Sequence, residues 1–185
     1  MQNIPQEIIQ KAQGGDMQAF EKIYRIASGF VYSVSLRIIR NKEHAEDVTQ
    51  EVFLKLYTHL GQFRFQSAFT TWLYRITVNT ALNHCRKRAK DLTGGINFHE
   101  IEGSIASSHT QTRIEHQENR EIIAILLDRL NPDQRACLVL REIEGLSYKE
   151  ISNVLKIKVN TVRSRLKRAR EILLTNRREV MGNEL

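Results

Sequence analysis

The sequence predicts an all-α protein of two small helical domains, an N-terminal helical bundle and a C-terminal helix-turn-helix domain, joined by a flexible acidic linker. Three observations carry that prediction. Apolar residues recur at helical rather than strand spacing in both end segments. Gly, Ser and Thr collect between those segments, in a composition that buries little (Thr93-Gly94-Gly95, Gly103-Ser104, Ser107-Ser108-His109-Thr110). Charge divides the same way. Residues 1–90 carry 13 Lys/Arg against 7 Asp/Glu, residues 91–120 carry 2 against 5, and residues 121–185 carry 13 against 9. The expected boundaries are 1–90, 91–118 and 119–185.

In the first block, Phe20, Ile23, Tyr24, Ala27, Val31, Val34 and Ile38 form a helical stripe from Met17 to about Ile39. Asn41 suits the cap of a second helix, from Glu43 to Leu60, whose inner face is Ala45, Val48, Val52, Leu56 and Leu60. Asp47, Gln50, Glu51 and Lys55 lie opposite, with Phe53 and Leu54 near the edge of that polar face. Solvated charge explains such a face, and so does docking to a basic, partly apolar partner.

Gly61 ends the helix, and a loop rich in aromatics and amides follows from Gln62 to Phe69. In the next helix Leu73, Ile76, Ala81 and Leu82 can face the core, while Asn79, Asn83 and Arg86 line another side at i, i+4, i+7. Asparagine reads base edges, and aromatic loops stack unpaired bases. Phe63, Phe65, Phe69, Trp72 and Tyr74 are, taken one at a time, more often core than base-binders.

The C-terminal block is the most informative. Ser147 with Glu150 makes a capping box, and Ile151, Val154 and Leu155 give the helix it starts one apolar face. Lys156-Ile157-Lys158 is the expected turn, with Asn160 as the cap of a second helix. There Val162, Leu166, Ala169 and Leu173 share one side, and Arg163, Ser164, Lys167 and Arg168 another. An apolar side that docks on a first helix, with a cationic side left free, is how a recognition helix enters a DNA major groove. The cations crowd the helix start, where they oppose the macrodipole, so a ligand explains them better than stability does.

Bulk properties agree. The net charge of +7 and pI near 9.6 suit a polyanionic partner. No apolar run reaches membrane-spanning length and no signal-peptide pattern opens the chain, so a cytoplasmic protein without direct membrane insertion is expected. Cys85 and Cys137 form no CxxC pair and read as reduced thiols.

Taken together, these segments resemble the extracytoplasmic-function group of sigma-70 family RNA polymerase sigma factors. Glu46-Asp47-Val48-Thr49-Gln50-Glu51-Val52-Phe53 resembles the family's core-polymerase-binding helix. Phe63-Arg64, Ser67-Ala68-Phe69, Thr71-Trp72-Leu73-Tyr74-Arg75-Ile76 and Asn79 resemble its promoter-melting segment. Arg135, Leu140 to Ile151, Thr161 to Leu166 and Arg168-Ala169-Arg170 resemble its minus-35-reading domain. The resemblance implies a non-enzymatic transcription initiation factor without metal or cofactor. Its partners would be core RNA polymerase, promoter DNA and an anti-sigma factor, whose membrane anchoring stays open.

By the same resemblance Asp47, Gln50, Glu51 and Phe53 would bind core polymerase. Phe63, Arg64, Ser67 and Phe69 would belong to the pocket for a flipped minus-10 base, with Asn79, Asn83 and Arg86 on the strand. Arg163, Ser164, Lys167 and Arg168 would read the minus-35 groove, while Asn160, Thr161 and Arg165 hold phosphates. The acidic linker would thread the polymerase channel. The family often has Gly after the Phe-Arg pair, whereas Phe65 stands here and is expected to reshape the base pocket. Asn160 also replaces a frequent Gly. By the resemblance, the chain is expected to lack the extra domain and the acidic N-terminal extension of larger sigma factors.

Two rival classes fare worse. An enzyme lacks support, since the chain has no phosphate-binding glycine loop, HExxH or plausible Ser/His/Asp set. His99, His109 and His116 are loosely spaced in the linker and read as solvated rather than zinc-bound. An ordinary repressor explains the C-terminal block equally well, but gives no reason for the aromatic loop followed by Asn79, Asn83 and Arg86.

Overall fold

The computed structural model describes residues 4–93 and 126–182, and every regular element among them is helical. The chain divides into two units, residues 1–88 and 89–185. Most of the expected linker lies outside the described residues.

In the first unit each helix starts at a side chain or turn that the sequence supplies. Helix α1 (Gln6–Gln13) follows Pro5 and buries Ile9 and Ala12. It ends at Gly14-Gly15, where Gly15 takes φ +91 at no cost because it has no Cβ. Helix α2 (Met17–Ile39) starts at Asp16, whose carboxylate accepts the N–H groups of Gln18 and Ala19 at 2.9 and 3.0 Å. Helix α3 (Lys42–His59) starts at Asn41, which accepts the His44 N–H at 2.9 Å. A short 3-10 turn, Leu60–Gln62, absorbs Gly61 and leads into the aromatic loop. Helix α4 (Phe69–Thr93) completes the unit.

The core of this unit is the seam between the helices. Ile23, Ala27, Val31, Val34 and Ile38 of α2 are fully buried, as are Ala45, Val48, Val52 and Leu56 of α3. Leu73, Val78 and Ala81 of α4 are likewise fully buried, and Leu82 nearly so. Ile76, expected in the core, is only half-buried, and Val78 takes the inward place. The buried set 73, 74, 77, 78, 81, 82 turns the opposite face, Trp72, Ile76, Asn79, Asn83 and Arg86, outward. Lys55 donates to Thr80 Oγ1 at 3.2 Å, and Phe30 meets Tyr74 edge-on at 4.8 Å, tying α4 to α3 and α2.

In the second unit Asn131 and Gln134 make a capping box around Pro132 at the start of α5 (Pro132–Leu138). The chain continues as a π turn, Val139–Ile143. Arg135, buried, donates to the carbonyls of Leu127 and Leu130 at 2.9 and 2.7 Å, satisfying a helix end that would otherwise be orphaned. Helix α6 (Tyr148–Leu155) starts at the predicted box: the Ser147 N–H donates to Glu150 at 2.7 Å and the Glu150 N–H to Ser147 Oγ at 3.3 Å. Lys156, at φ 53, closes α6 and turns the chain into α7 (Val159–Gly182).

Ile151 and Val154 of α6 meet Val162, Leu166 and Ala169 of α7, all fully buried. Arg170 donates to Glu142 at 2.6 Å, linking α7 to the π turn. The Ser147 hydroxyl and backbone N–H together hold the Glu150 carboxyl below its ordinary value. A depressed carboxyl pKa contributes stability at neutral pH that is lost as pH falls through the folded-state value. Ser147→Ala is expected to cost about 1 kcal/mol. Denaturant melting monitored by helical signal should show a lower midpoint and a shallower acid dependence; an unshifted midpoint would mean the box is dispensable.

Candidate functional site

Three surfaces emerge from the faces the cores leave free. On α7, Arg163, Ser164, Lys167 and Arg168 are all exposed, opposite the Val162-Leu166-Ala169 seam. The Lys158 carbonyl accepts the N–H groups of Thr161 and Val162 at 2.9 and 3.2 Å, so the helix starts at Val159, two positions earlier than an Asn160 cap would start it. Asn160 lies instead in the first turn, where its Oδ1 accepts from Arg163 Nη1 at 3.3 Å. Ser164 Oγ donates to the Thr161 carbonyl at 3.0 Å, and Lys167 sits 3.8 Å from Glu171 with both ends largely exposed. The face is cationic, solvated and only loosely engaged within the chain.

On the first unit, the loop after α3 folds around Phe63. Its ring lies 4.8 Å from Phe65, 5.2 Å from Trp72 and 5.5 Å from Phe69. Phe63 and Phe69 are buried at 6% and 8% exposure, Trp72 is half-buried, and Phe65 is 37% exposed. Arg64, Gln66, Ser67 and Ala68 are exposed. Gln13 of α1 holds the loop from beneath, its Nε2 donating to the carbonyls of Leu60 and Phe63 at 2.9 and 2.8 Å. From Trp72 the α4 stripe runs through Asn79, half-buried, to Asn83 and Arg86, both exposed and joined by a 3.3 Å hydrogen bond.

The third surface is the outer side of α3. Asp47, Gln50 and Glu51 are exposed, and Glu51 is paired with Lys55 at 2.6 Å. Phe53 turns inward from the expected polar edge, being 6% exposed and edge-on to Tyr24 at 4.6 Å. Leu54 and Tyr57 are exposed in its place, as are Met17 and Tyr24 of α2, and Tyr57 meets Phe20 edge-on at 5.1 Å. An open groove of about 360 Å³ lies between α2 and α3, lined in part by Tyr24, Gly29, Tyr32, Glu46 and Gln50. His84 of α4 lies 5.0 Å from His44 with the rings tilted at 45°, and burial, then the charges of His44 and Arg88, hold its pKa below the ordinary value.

Residues 23–91 match Sigma-70 region 2, and residues 120–173 match Sigma-70, region 4. The chain is 37% identical over 175 residues to the RNA polymerase sigma-H factor of Pseudomonas aeruginosa, covering 91% of each. It is 36% identical over 176 residues to the ECF RNA polymerase sigma-E factor of Escherichia coli K12, again covering 91% of each. The chain belongs to the extracytoplasmic-function group of the sigma-70 family. It is a transcription initiation factor that directs RNA polymerase to promoters.

Two solved structures share its fold. CnrH, in complex with the cytosolic domain of CnrY, is 21% identical with a TM-score of 0.65, covering 99% of this chain and 100% of that one. The sigma factor RpoE of Bartonella quintana, in complex with the anti-sigma factor NepR, is 20% identical with a TM-score of 0.64, covering 91% and 100%.

Region 2 of this sigma factor thus carries the aromatic loop, the α4 stripe and the α3 face, and region 4 carries α7. Arg165, expected to hold a phosphate, is ion-paired within the chain. It turns back to Asp133 of α5 at 3.1 Å, with about a quarter of its side chain exposed (26%), and bonds the Cys137 side chain. Burial pushes the Cys137 thiol up to about 11 against the pull of Arg165. Among the described residues no group of three or more potential metal ligands occurs; His99, His109 and His116 lie outside them.

Sequence reasoning missed Gln13, Tyr24 and Tyr57 as parts of these surfaces. For Tyr57 a signal existed: Asp47, Gln50, Leu54 and Tyr57 follow i, i+3, i+7, i+10, which puts two apolar residues on the polar face. Arg165→Ala should cost region 4 about 1 kcal/mol by removing its half-buried ion pair with Asp133, whereas Arg163→Ala should leave stability unchanged. Parallel thermal melts separate the two; equal midpoints would return Arg165 to the DNA-facing set.

Proposed function

We propose that the three surfaces divide the work of promoter selection as follows. The α3 face, through Asp47, Gln50 and Glu51 with Leu54 and Tyr57 alongside, docks on core RNA polymerase. Phe53 supports that face from behind by packing on Tyr24. Charge and exposed apolar area on one helix suit a partner that is basic and partly apolar. The Phe63 loop and the α4 stripe hold the minus-10 non-template strand, with Arg64, Ser67, Asn79, Asn83 and Arg86 exposed or half-exposed to it. Extruding a base costs a few kcal/mol, which an aromatic and amide surface recovers.

The α7 face reads the minus-35 element. Arg163, Ser164, Lys167 and Arg168 address the bases, while Asn160 and Thr161, in the first helical turn, lie where phosphates are held by backbone N–H groups and the helix dipole. Boundaries at 1–90, 91–118 and 119–185 divide these roles, with the acidic linker between them. The protein works in the cytoplasm, where its template is. An anti-sigma factor covers these surfaces until transcription is called for; RpoE of Bartonella quintana, which shares the fold, is in complex with the anti-sigma factor NepR.

The observation that carries this reading is the α4 stripe. A row of amides and a guanidinium leaving an aromatic cluster on one helix has no role in a duplex-binding repressor, and suits an unpaired strand.

Two variants test the assignments. Asp47→Lys in the purified chain should abolish co-elution with core polymerase; unchanged co-elution removes α3 from the interface. Asp47 is the cleaner choice, because reversing Glu51 would also set two like charges against each other at Lys55. Arg168→Ala in reconstituted holoenzyme should lose about 1–3 kcal/mol at particular minus-35 positions and none at others. A loss spread evenly over all sequences would make it a phosphate contact.

A further inference from the structure

Phe65 is held at φ 57, in the left-handed backbone region. There a Cβ crowds the following carbonyl oxygen, and glycine is the residue that sits without penalty. A bulky aromatic in that conformation is an outlier whose ring must contribute something the backbone alone does not. The ring does little for the core. One side rests on Phe63 at 4.8 Å, yet 37% of the residue stays exposed while Phe63 and Phe69 behind it are buried. The two buried rings have no free face for a base. In this cluster the open π surface belongs to Phe65 and, in part, to Trp72, from which the Asn79-Asn83-Arg86 stripe departs. The residue before Phe65 is Arg64, an exposed cation.

The geometry points to Phe65 as the stacking surface for one unpaired base of the promoter strand, with Phe63 and Phe69 as its buried support. This rests on the strand-binding role proposed above for the loop and α4. The ring restricts the opening that a glycine would leave wide, so it also governs which base that position accepts. Every base has a π face, so affinity comes from the stack and preference from the space the ring leaves.

The test uses holoenzyme made from core RNA polymerase and the full chain. Wild-type holoenzyme first selects a single strand from a randomised DNA pool. Binding of that strand, and of versions abasic at each position in turn, is then compared for wild type, Phe65→Gly and Phe65→Tyr. Glycine keeps the left-handed backbone, so Phe65→Gly should fold with its loop intact. It is expected to bind the intact strand about tenfold more weakly. On the strand abasic at one position it should match wild type, because both have already lost the same contact. Phe65→Tyr should restore wild-type binding.

Equal binding of the intact strand by wild type and Phe65→Gly overturns the assignment. So does an equal loss on every abasic strand, which would mean that the ring only covers Phe63. A wild-type holoenzyme that enriches no strand at all overturns the strand-binding reading itself, and this inference with it.

Discussion

In each unit one long helix is gripped along a seam of small and branched apolar side chains, and the polar and cationic face of that helix lies on the side that the seam leaves out. Val162, Leu166 and Ala169 seat α7 against α5 and α6; Leu73, Val78, Ala81 and Leu82 seat α4 in the first unit. Burial of such side chains is worth about 1.5–3 kcal/mol each for the larger ones, so the seam fixes helix rotation. Rotation then decides chemistry. A helix repeats every 3.6 residues, so choosing Val162 and Leu166 as the inner face places Arg163, Lys167 and Arg168 outside.

Function nevertheless opposes local stability at two places. Cations in the first turns of α7 face the positive end of its dipole, and that cost falls on a short domain. The structure meets it with reinforcement nearby: two capping boxes, the buried Arg135 closing a helix end, and the Arg165–Asp133 and Arg170–Glu142 pairs. The aromatic loop is the second place. Phe65 is strained, and Gln13 spends both of its amide hydrogen bonds beneath the loop to hold Leu60 and Phe63 in position. Helix α1 therefore holds the aromatic loop in position through Gln13.

Much of this was legible in the sequence because it rests on local rules. Asn41 and the Ser147–Glu150 box cap where capping chemistry says they should, and the apolar periodicity of α2, α3 and α7 marks their inner faces. What was not legible depends on distant partners. Arg165 looks like its cationic neighbours until Asp133 and Cys137 of another helix draw it inward. Phe53 sits at the border of the polar face, and only Tyr24 across the seam decides that it turns in. Asn160 is a good cap by type, but the chain reaches helical geometry sooner, because Lys156 takes the left-handed turn and the Lys158 carbonyl accepts the first bonds. Helix α1 is short and polar, and its value lies in bonds made about 50 residues away (|i−j| 47 and 50).

Autonomy separates a sigma factor from an ordinary helix-turn-helix regulator, so the most direct measurement is abortive initiation by core RNA polymerase on a promoter library, with and without the purified chain. Short transcripts that depend both on the chain and on promoter sequence are the expected result. Tight duplex binding by the chain alone, with no initiation from any promoter when core polymerase is added, would contradict it.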